Sequence, residues 1–210
     1  MLGHDPSMSN VLPPVEVYCG LMEEIKFRIG MINTAAMRPT MPQQLILEFG
    51  RLQLRLVCEI IAIACLAIHN EMINIKALEK LWSANEIMVR LQTLNPNFFP
   101  VACLKTKDSK EEGIEITDVK PEPLNKTSFI SLYGRCGNDL HRGDLRRILS
   151  SIPAQPPSLQ QLNTDVLSIM NLLRMHRIAA PDYKKHYVCV MENTPKGKCA
   201  MITADGWSPL

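Results

Sequence analysis

The chain lacks most of the short patterns that announce a chemistry. None of its seven cysteines (Cys19, Cys58, Cys65, Cys103, Cys136, Cys189, Cys199) stands in a Cys-x-x-Cys pair. A zinc knuckle and a redox dithiol therefore have no support in the spacing. There is no Walker loop, dinucleotide fingerprint, nucleophile elbow or His-Glu-x-x-His, so neither a cofactor nor a metal is expected. Strong charge of either sign is also missing. A net charge of +2 excludes a generally basic coat for nucleic acid, while leaving room for a local basic cleft. No leader of basic, apolar and small-residue regions is found in residues 1–13, and the expectation is a reducing cytoplasm. No apolar run is long enough for a bilayer. The longest, Leu52–Ile68, is interrupted by Arg55 and Glu59, and the uncharged remainder, Ile60–Ile68, is too short to cross.

What is present is the composition of an ordinary globular protein: 210 residues, 46% hydrophobic and 21% charged, enough for one core. Residues 1–13 lack periodicity and read as a flexible arm, residues 14–204 as one helical-bundle domain, and residues 205–210 as a tail. Pro14 suits a first helical turn. Val17, Leu21, Ile25, Ile29 and Ile32 then make one apolar face over Val15–Met37. Thr40 with Gln43 reads as a capping box opening a second helix to about Ile68 or Glu71. That helix is apolar on nearly every side after Leu54, as the centre of a bundle would be. A third helix is expected over Ile75–Leu94, with Leu78, Leu81, Trp82, Ile87, Leu91 and Leu94 inward.

The alternation in Ile114-Glu-Ile116-Thr suggests a hairpin of Phe98–Lys107 and Gly113–Lys120. Helix resumes near Thr127 through Leu140 to Gly143, with a short helix at Leu145–Ser151. A fifth helix is capped by Ser158 and Gln161, with Leu159, Leu162, Val166, Ile169 and Leu173 buried. A last hairpin joins Tyr187–Asn193 to Lys198–Ala204. The fold class is mainly α, four to five helices with two short hairpins that could share one small sheet.

Two constellations carry chemistry. Arg55 and Glu59, four apart on a helix among apolar neighbours, can meet as an ion pair, extended by Glu48 and Arg51. Alternatively they point into a cleft and order its polar groups. The second constellation is Tyr133-Gly-Arg-Cys-Gly-Asn-Asp-Leu-His141-Arg142-Gly143. An arginine holds phosphate through paired hydrogen bonds, and a histidine moves protons near neutral pH. Together Arg135 and His141 suffice for metal-independent RNA cleavage by a neighbouring 2′-hydroxyl. Six helical steps leave them about 120° apart, so convergence needs a distortion at Gly137 or a cleft shared by two subunits. The other account pairs Arg135 with Asp139 and uses His141 to close the helix end.

An Arg-x-x-x-Glu in an apolar second helix, with the late Tyr133-to-Gly143 segment, resembles the HEPN superfamily (higher eukaryotes and prokaryotes nucleotide-binding domain). The resemblance covers about Val15–Met175. Ribonuclease members carry Arg, four to six residues, then His, and Arg135 and His141 match with five between. Many non-nuclease relatives place an aromatic and a small residue before a helix-ending His-Gly or His-Pro, and Tyr133 with His141 fits that form too. The chain departs from the nuclease form at Cys136, where a polar residue is usual, and in its flanking Gly134 and Gly137. The resemblance implies a homodimer acting on RNA in defence or stress response. Arg135 and His141 would be catalytic, with Arg55, Glu59, Tyr133, Asn138, Asp139 and Arg142 binding or orienting. Rival expectations are a module for a protein partner, or a binder of nucleotides or small ligands.

Other polar residues read blandly. Cys136, in helical register with Leu132 and Leu140, reads as a buried thiol rather than a nucleophile. Asp139, His141 and Asp144 lack metal-ligand spacing. His176, within Arg174-Met-His-Arg177, reads as a positive group at the end of the fifth helix. Arg174, Arg177, Lys184 and Lys185 make either a basic patch or a solvated face. The methionines read as packing residues.

Overall fold

In the computed structural model the described residues are 12–69, 83–109, 113–140, 158–180, 185–191 and 197–205. Among them are five helices: α1 (Pro14–Ala36), α2 (Gln43–Ile68), α3 (Ala84–Leu94), α4 (Lys126–Leu140) and α5 (Leu159–Leu173). They also hold five strands: β1 (Val101–Ser109), β2 (Gly113–Asp118), β3 (Met175–Ala179), β4 (Lys185–Val190) and β5 (Ala200–Asp205). The class is mainly α with a minor antiparallel β component.

Helix α2 lies at the centre, packed against α1, α3, α4 and α5. Its buried residues run from Ile46 through Leu54, Val57, Cys58, Ile61 and Cys65 to Ile68 on several sides of the helix. Helix α1 begins with Pro14 in its first turn and buries Tyr18, Met22, Ile25, Ile29, Ile32 and Ala35, while Val17 and Leu21 of the expected stripe are half-buried. The capping box expected at Thr40 is not made. Pro42 is the N-cap residue of α2 and no side chain caps it. A proline pushes the residue before it away from helical geometry, so helix cannot start as early as Thr40. The expected start of α3 at Ile75, with Leu78, Leu81 and Trp82, lies outside the described residues.

At α5 the Ser158 Oγ accepts from the Gln161 N–H at 3.1 Å. The reciprocal half of the box is absent, because the Gln161 amide reaches forward to Asp165 instead. Leu159, expected inside, is exposed.

The two expected hairpins do share a sheet, but not directly. The strand order is β2-β1-β3-β4-β5, and β3 is a strand where sequence reasoning placed the end of a helix. Helix α5 stops at Leu173, and Met175–Ala179 pairs with β1 on one side and β4 on the other. His176 is therefore no exposed helix-end cation. It is fully buried, its Nδ1–H donating to Leu173 O at 2.9 Å and its Nε2 accepting from the Tyr18 hydroxyl at 2.6 Å. Burial lowers its pKa to about 4, in keeping with a neutral ring. Arg177 likewise is not solvated. It makes two hydrogen bonds across the sheet to Asp118, at 2.7 and 2.8 Å.

A second buried polar joint ties α2 to α3. His69 Nδ1–H donates to Cys65 O at 2.7 Å, and Asn95 Nδ2 donates to His69 Nε2 at 2.9 Å. Among the described residues no helix is long and apolar enough to cross a membrane.

Candidate functional site

A seam of polar residues lies where α2, α4 and α5 meet, and its centre is Arg51. This guanidinium is 2% exposed. Its Nη1 donates to Asp165 Oδ2, a carboxylate only 4% exposed. Its Nε lies 2.8 Å from Asp139 Oδ2, at ion-pair distance but off the line of a hydrogen bond. Burial works against the charge on Arg51, yet the bond to Asp165 and the negative charges of Asp165 and Asp139 together outweigh it and hold the pKa above the ordinary arginine value. A buried cation in this position needs both carboxylates.

Asp165 joins all three helices. Besides Arg51 it accepts from Gln161 Nε2 at 3.0 Å and from Arg135 Nη2 at 2.8 Å. Arg135 therefore does not pair with Asp139, as its own helix would suggest. Asp139 turns inward to Arg51 on α2, and Arg135 crosses to Asp165 on α5. The reason is burial. Arg51 is the group that cannot reach water, so both acidic residues serve it first. Arg135 remains 45% exposed, with one nitrogen anchored at the seam and the rest of the guanidinium at its mouth.

One turn further along α2, Arg55, Glu59 and Tyr133 form a second cluster. Arg55 Nε lies 3.3 Å from Glu59 Oε1, and Arg55 Nη2 donates to the Tyr133 hydroxyl at 3.2 Å. Tyr133 donates in turn to Glu59 Oε1 at 3.1 Å, with Arg55 Cζ 4.9 Å from its ring centre, within cation–π range. Burial and the Glu59 carboxylate push the Tyr133 pKa up. Glu48 takes no part, its carboxylate accepting from Gln44 instead.

Gly137 explains how Arg55 comes so near α4. A Cβ at that position would stand 2.6 Å from Arg55 Nη1. The distortion that was one of two routes to convergence of Arg135 and His141 is absent there, since α4 is continuous to Leu140. The glycine serves close approach, not a bend. Cys136 is buried between these layers; burial raises its pKa to about 11, with Arg51 opposing. It lacks the low pKa and access of a nucleophilic thiol.

No protein-family model, no curated protein and no solved structure matches the chain.

The expected site residues thus fall into four groups. Arg55, Glu59 and Tyr133 stand together, and Arg135 and Asp139 join the Arg51 seam. Asn138 is exposed on α4. His141 and Arg142 lie outside the described residues, as do Gly143, Asp144 and the short helix expected at 145–151. Sequence reasoning missed Asp165 and Gln161 and gave Arg51 only a supporting part. A signal existed: Asp165 sits beside Val166 in the apolar stripe of α5, where a carboxylate needs a buried cation. A cavity of about 570 Å³ lies at the other end of α4, against Asn125, Lys126, Arg177 and His186. Arg135 does not line it.

Proposed function

We propose that this chain is a HEPN-like, RNA-directed protein of the cytoplasm. In its specific form it is a metal-independent endoribonuclease, with Arg135 holding the scissile phosphate and His141 moving protons. The observation that carries the reading is the state of Arg135. Its charge is permanent, one nitrogen is fixed by a buried carboxylate, and nearly half the side chain is open to solvent. A cation oriented before its ligand arrives loses little freedom on binding an anion.

In the cleavage step the 2′-hydroxyl attacks the adjacent phosphorus, and the P–O bond to the 5′ oxygen breaks. A 2′,3′-cyclic phosphate and a 5′-hydroxyl are left. His141 accepts the hydroxyl proton or returns one to the leaving oxygen. Arg135 offsets the growing negative charge on the phosphate oxygens. A homodimer would bring a second Arg135 and His141 to the same groove.

A non-catalytic scaffold for a protein partner is the second reading. The internal closure of Arg51, Asp139, Asp165 and Gln161, and of Arg55, Glu59 and Tyr133, favours it. The two separate in one experiment with purified protein and total RNA, free of added metal, beside Arg135→Ala and His141→Ala. Cyclic-phosphate ends that vanish in both variants, with unchanged melting temperatures, support the ribonuclease. An inert wild type that does not bind RNA supports the scaffold. Melting scans with added nucleotides test ligand binding without cleavage.

A further inference from the structure

Three of the seven cysteines converge far from the Arg51 seam, on elements distant in sequence. Cys19 is on α1, Cys189 on β4, and Cys199 in the irregular segment leading into β5. The Cys189 and Cys199 sulfurs are 3.2 Å apart, and the Cys19 thiol also hydrogen-bonds to Cys199.

The segment carrying Cys199 is fastened to α1 on its other side. The Cys199 N–H donates to Glu23, which also takes Lys26 at 3.0 Å, and Lys26 donates to Gly197 O at 2.7 Å. These contacts turn the Cys199 sulfur toward β4. Cys199 and Cys19 are half-buried, whereas Cys189, Cys58, Cys65, Cys103 and Cys136 are buried.

We propose that Cys199 and Cys189 are a peroxide-sensing dithiol, with Cys199 the thiol that reacts first and Cys189 the thiol that resolves it. The electrostatics agree. Hydrogen bonds from Cys189 and then Cys19 hold the Cys199 pKa below the ordinary thiol value, against the effect of burial. Cys189 is pushed up by its hydrogen bond to Cys199 and by burial. Cys19 is raised to about 12, chiefly by burial. The half-buried sulfur is thus the more acidic of the pair and the buried one the less acidic, the order that favours Cys199 as the thiol that attacks first.

The oxidant is a hydroperoxide. The Cys199 thiolate attacks the O–O bond, which breaks as an S–O bond forms. The departing hydroxide or alkoxide takes a proton from solvent and leaves as water or an alcohol, and Cys199 becomes a sulfenic acid. Cys189 then attacks the Cys199 sulfur. The S–S bond forms, the S–O bond breaks, and the hydroxyl departs as water with the Cys189 proton. The two sulfurs have supplied the two electrons that reduced the peroxide. Closing to a bond of roughly 2.05 Å needs about 1 Å of approach. Cys199 lies outside the β4–β5 ladder, so it can move while Cys189 stays fixed. A metal site is the poorer reading, since among the described residues no group of three such side chains is arranged to hold one.

The test uses the full chain, reduced and free of metal, and does not depend on the RNA reading. Hydrogen peroxide is added, free thiols are blocked with iodoacetamide, and the protein is digested without reductant. The expected product is a Cys189–Cys199 cross-linked peptide, formed within one chain and reversed by dithiothreitol. The oxidised protein should also melt higher than the reduced one. In untreated protein Cys199 should alkylate about tenfold faster than Cys103, a comparison that needs no variant. Cys189→Ser should leave a sulfenic acid on Cys199 that dimedone traps. Equal labelling of Cys199 and Cys103, a Cys19–Cys199 link in place of the expected pair, or only links between chains would overturn the proposal.

Discussion

Replacing Asp165 with asparagine should unfold this protein more readily than any other single change in the seam. The side chain keeps its size and loses its charge, so packing is preserved while Arg51 loses its better partner. Arg51 is 2% exposed and cannot turn to water. Asp139, at 26% exposure, is left as its one carboxylate among the described residues. Breaking one side of a buried ion pair costs about 3–5 kcal/mol. For a chain of 150–250 residues each kcal/mol moves the melting temperature by roughly 2–4 °C. The expected loss for Asp165→Asn is therefore about 6–20 °C in a calorimetric or dichroism scan.

Two variants serve as controls for this loss. Arg135→Ala removes the solvent-facing partner of the same carboxylate, which keeps Arg51 and Gln161, and should cost about 1 kcal/mol or less. Arg51→Met with Asp165→Leu removes both buried charges and should recover most of the loss, because neither group is left uncompensated. The account fails if Asp165→Asn melts within about 2 °C of wild type, or if the double variant is worse than the single one.

Three further outcomes follow from other parts of the molecule. His176 is neutral in the fold with its pKa lowered to about 4, so the unfolded chain binds its proton first as pH falls. Stability from this group is complete above about pH 6.5 and drains away down to about pH 4, by on the order of 3 kcal/mol; urea titrations of wild type and His176→Gln should differ in that slope. Gly50→Ala should cost about 1–3 kcal/mol, because its Cβ would stand 2.5 Å from Cδ2 of the buried Leu162. Gly137→Ala meets only the far end of the Arg55 side chain, so it should stay within about 1 kcal/mol of wild type in denaturant unfolding, the better helix former offsetting the displaced guanidinium.

The helices were legible in the sequence wherever apolar residues recurred at three and four. Ile25, Ile29 and Ile32 on α1, or Leu162, Val166 and Ile169 on α5, could face only one way. Strand β3 was not legible. Met175–Ala179 follows Leu173 after a single residue, and its two basic side chains look like a helix end. Its strand character comes from β1 and β4, which arrive from elsewhere in the chain. Within the seam the residue types were readable and the partners were not. Helical spacing joins Arg135 to Asp139, but it is silent about a carboxylate on α5. Only the packing of three helices decides that Asp139 turns to Arg51 and leaves Arg135 to Asp165.

The place of β3 in the sheet has a consequence for partial chains. Among the described residues it is the strand that joins the two ribbons, and a lone two-stranded ribbon is marginal in water. During synthesis the β1–β2 ribbon must wait, with an open edge, until the polypeptide has passed through α5. A fragment cut just after Leu173 would keep every helix described above and present that bare edge permanently. Such a piece is expected to self-associate through its backbone, so shortened versions used to hunt for activity should retain the chain through at least Ala179.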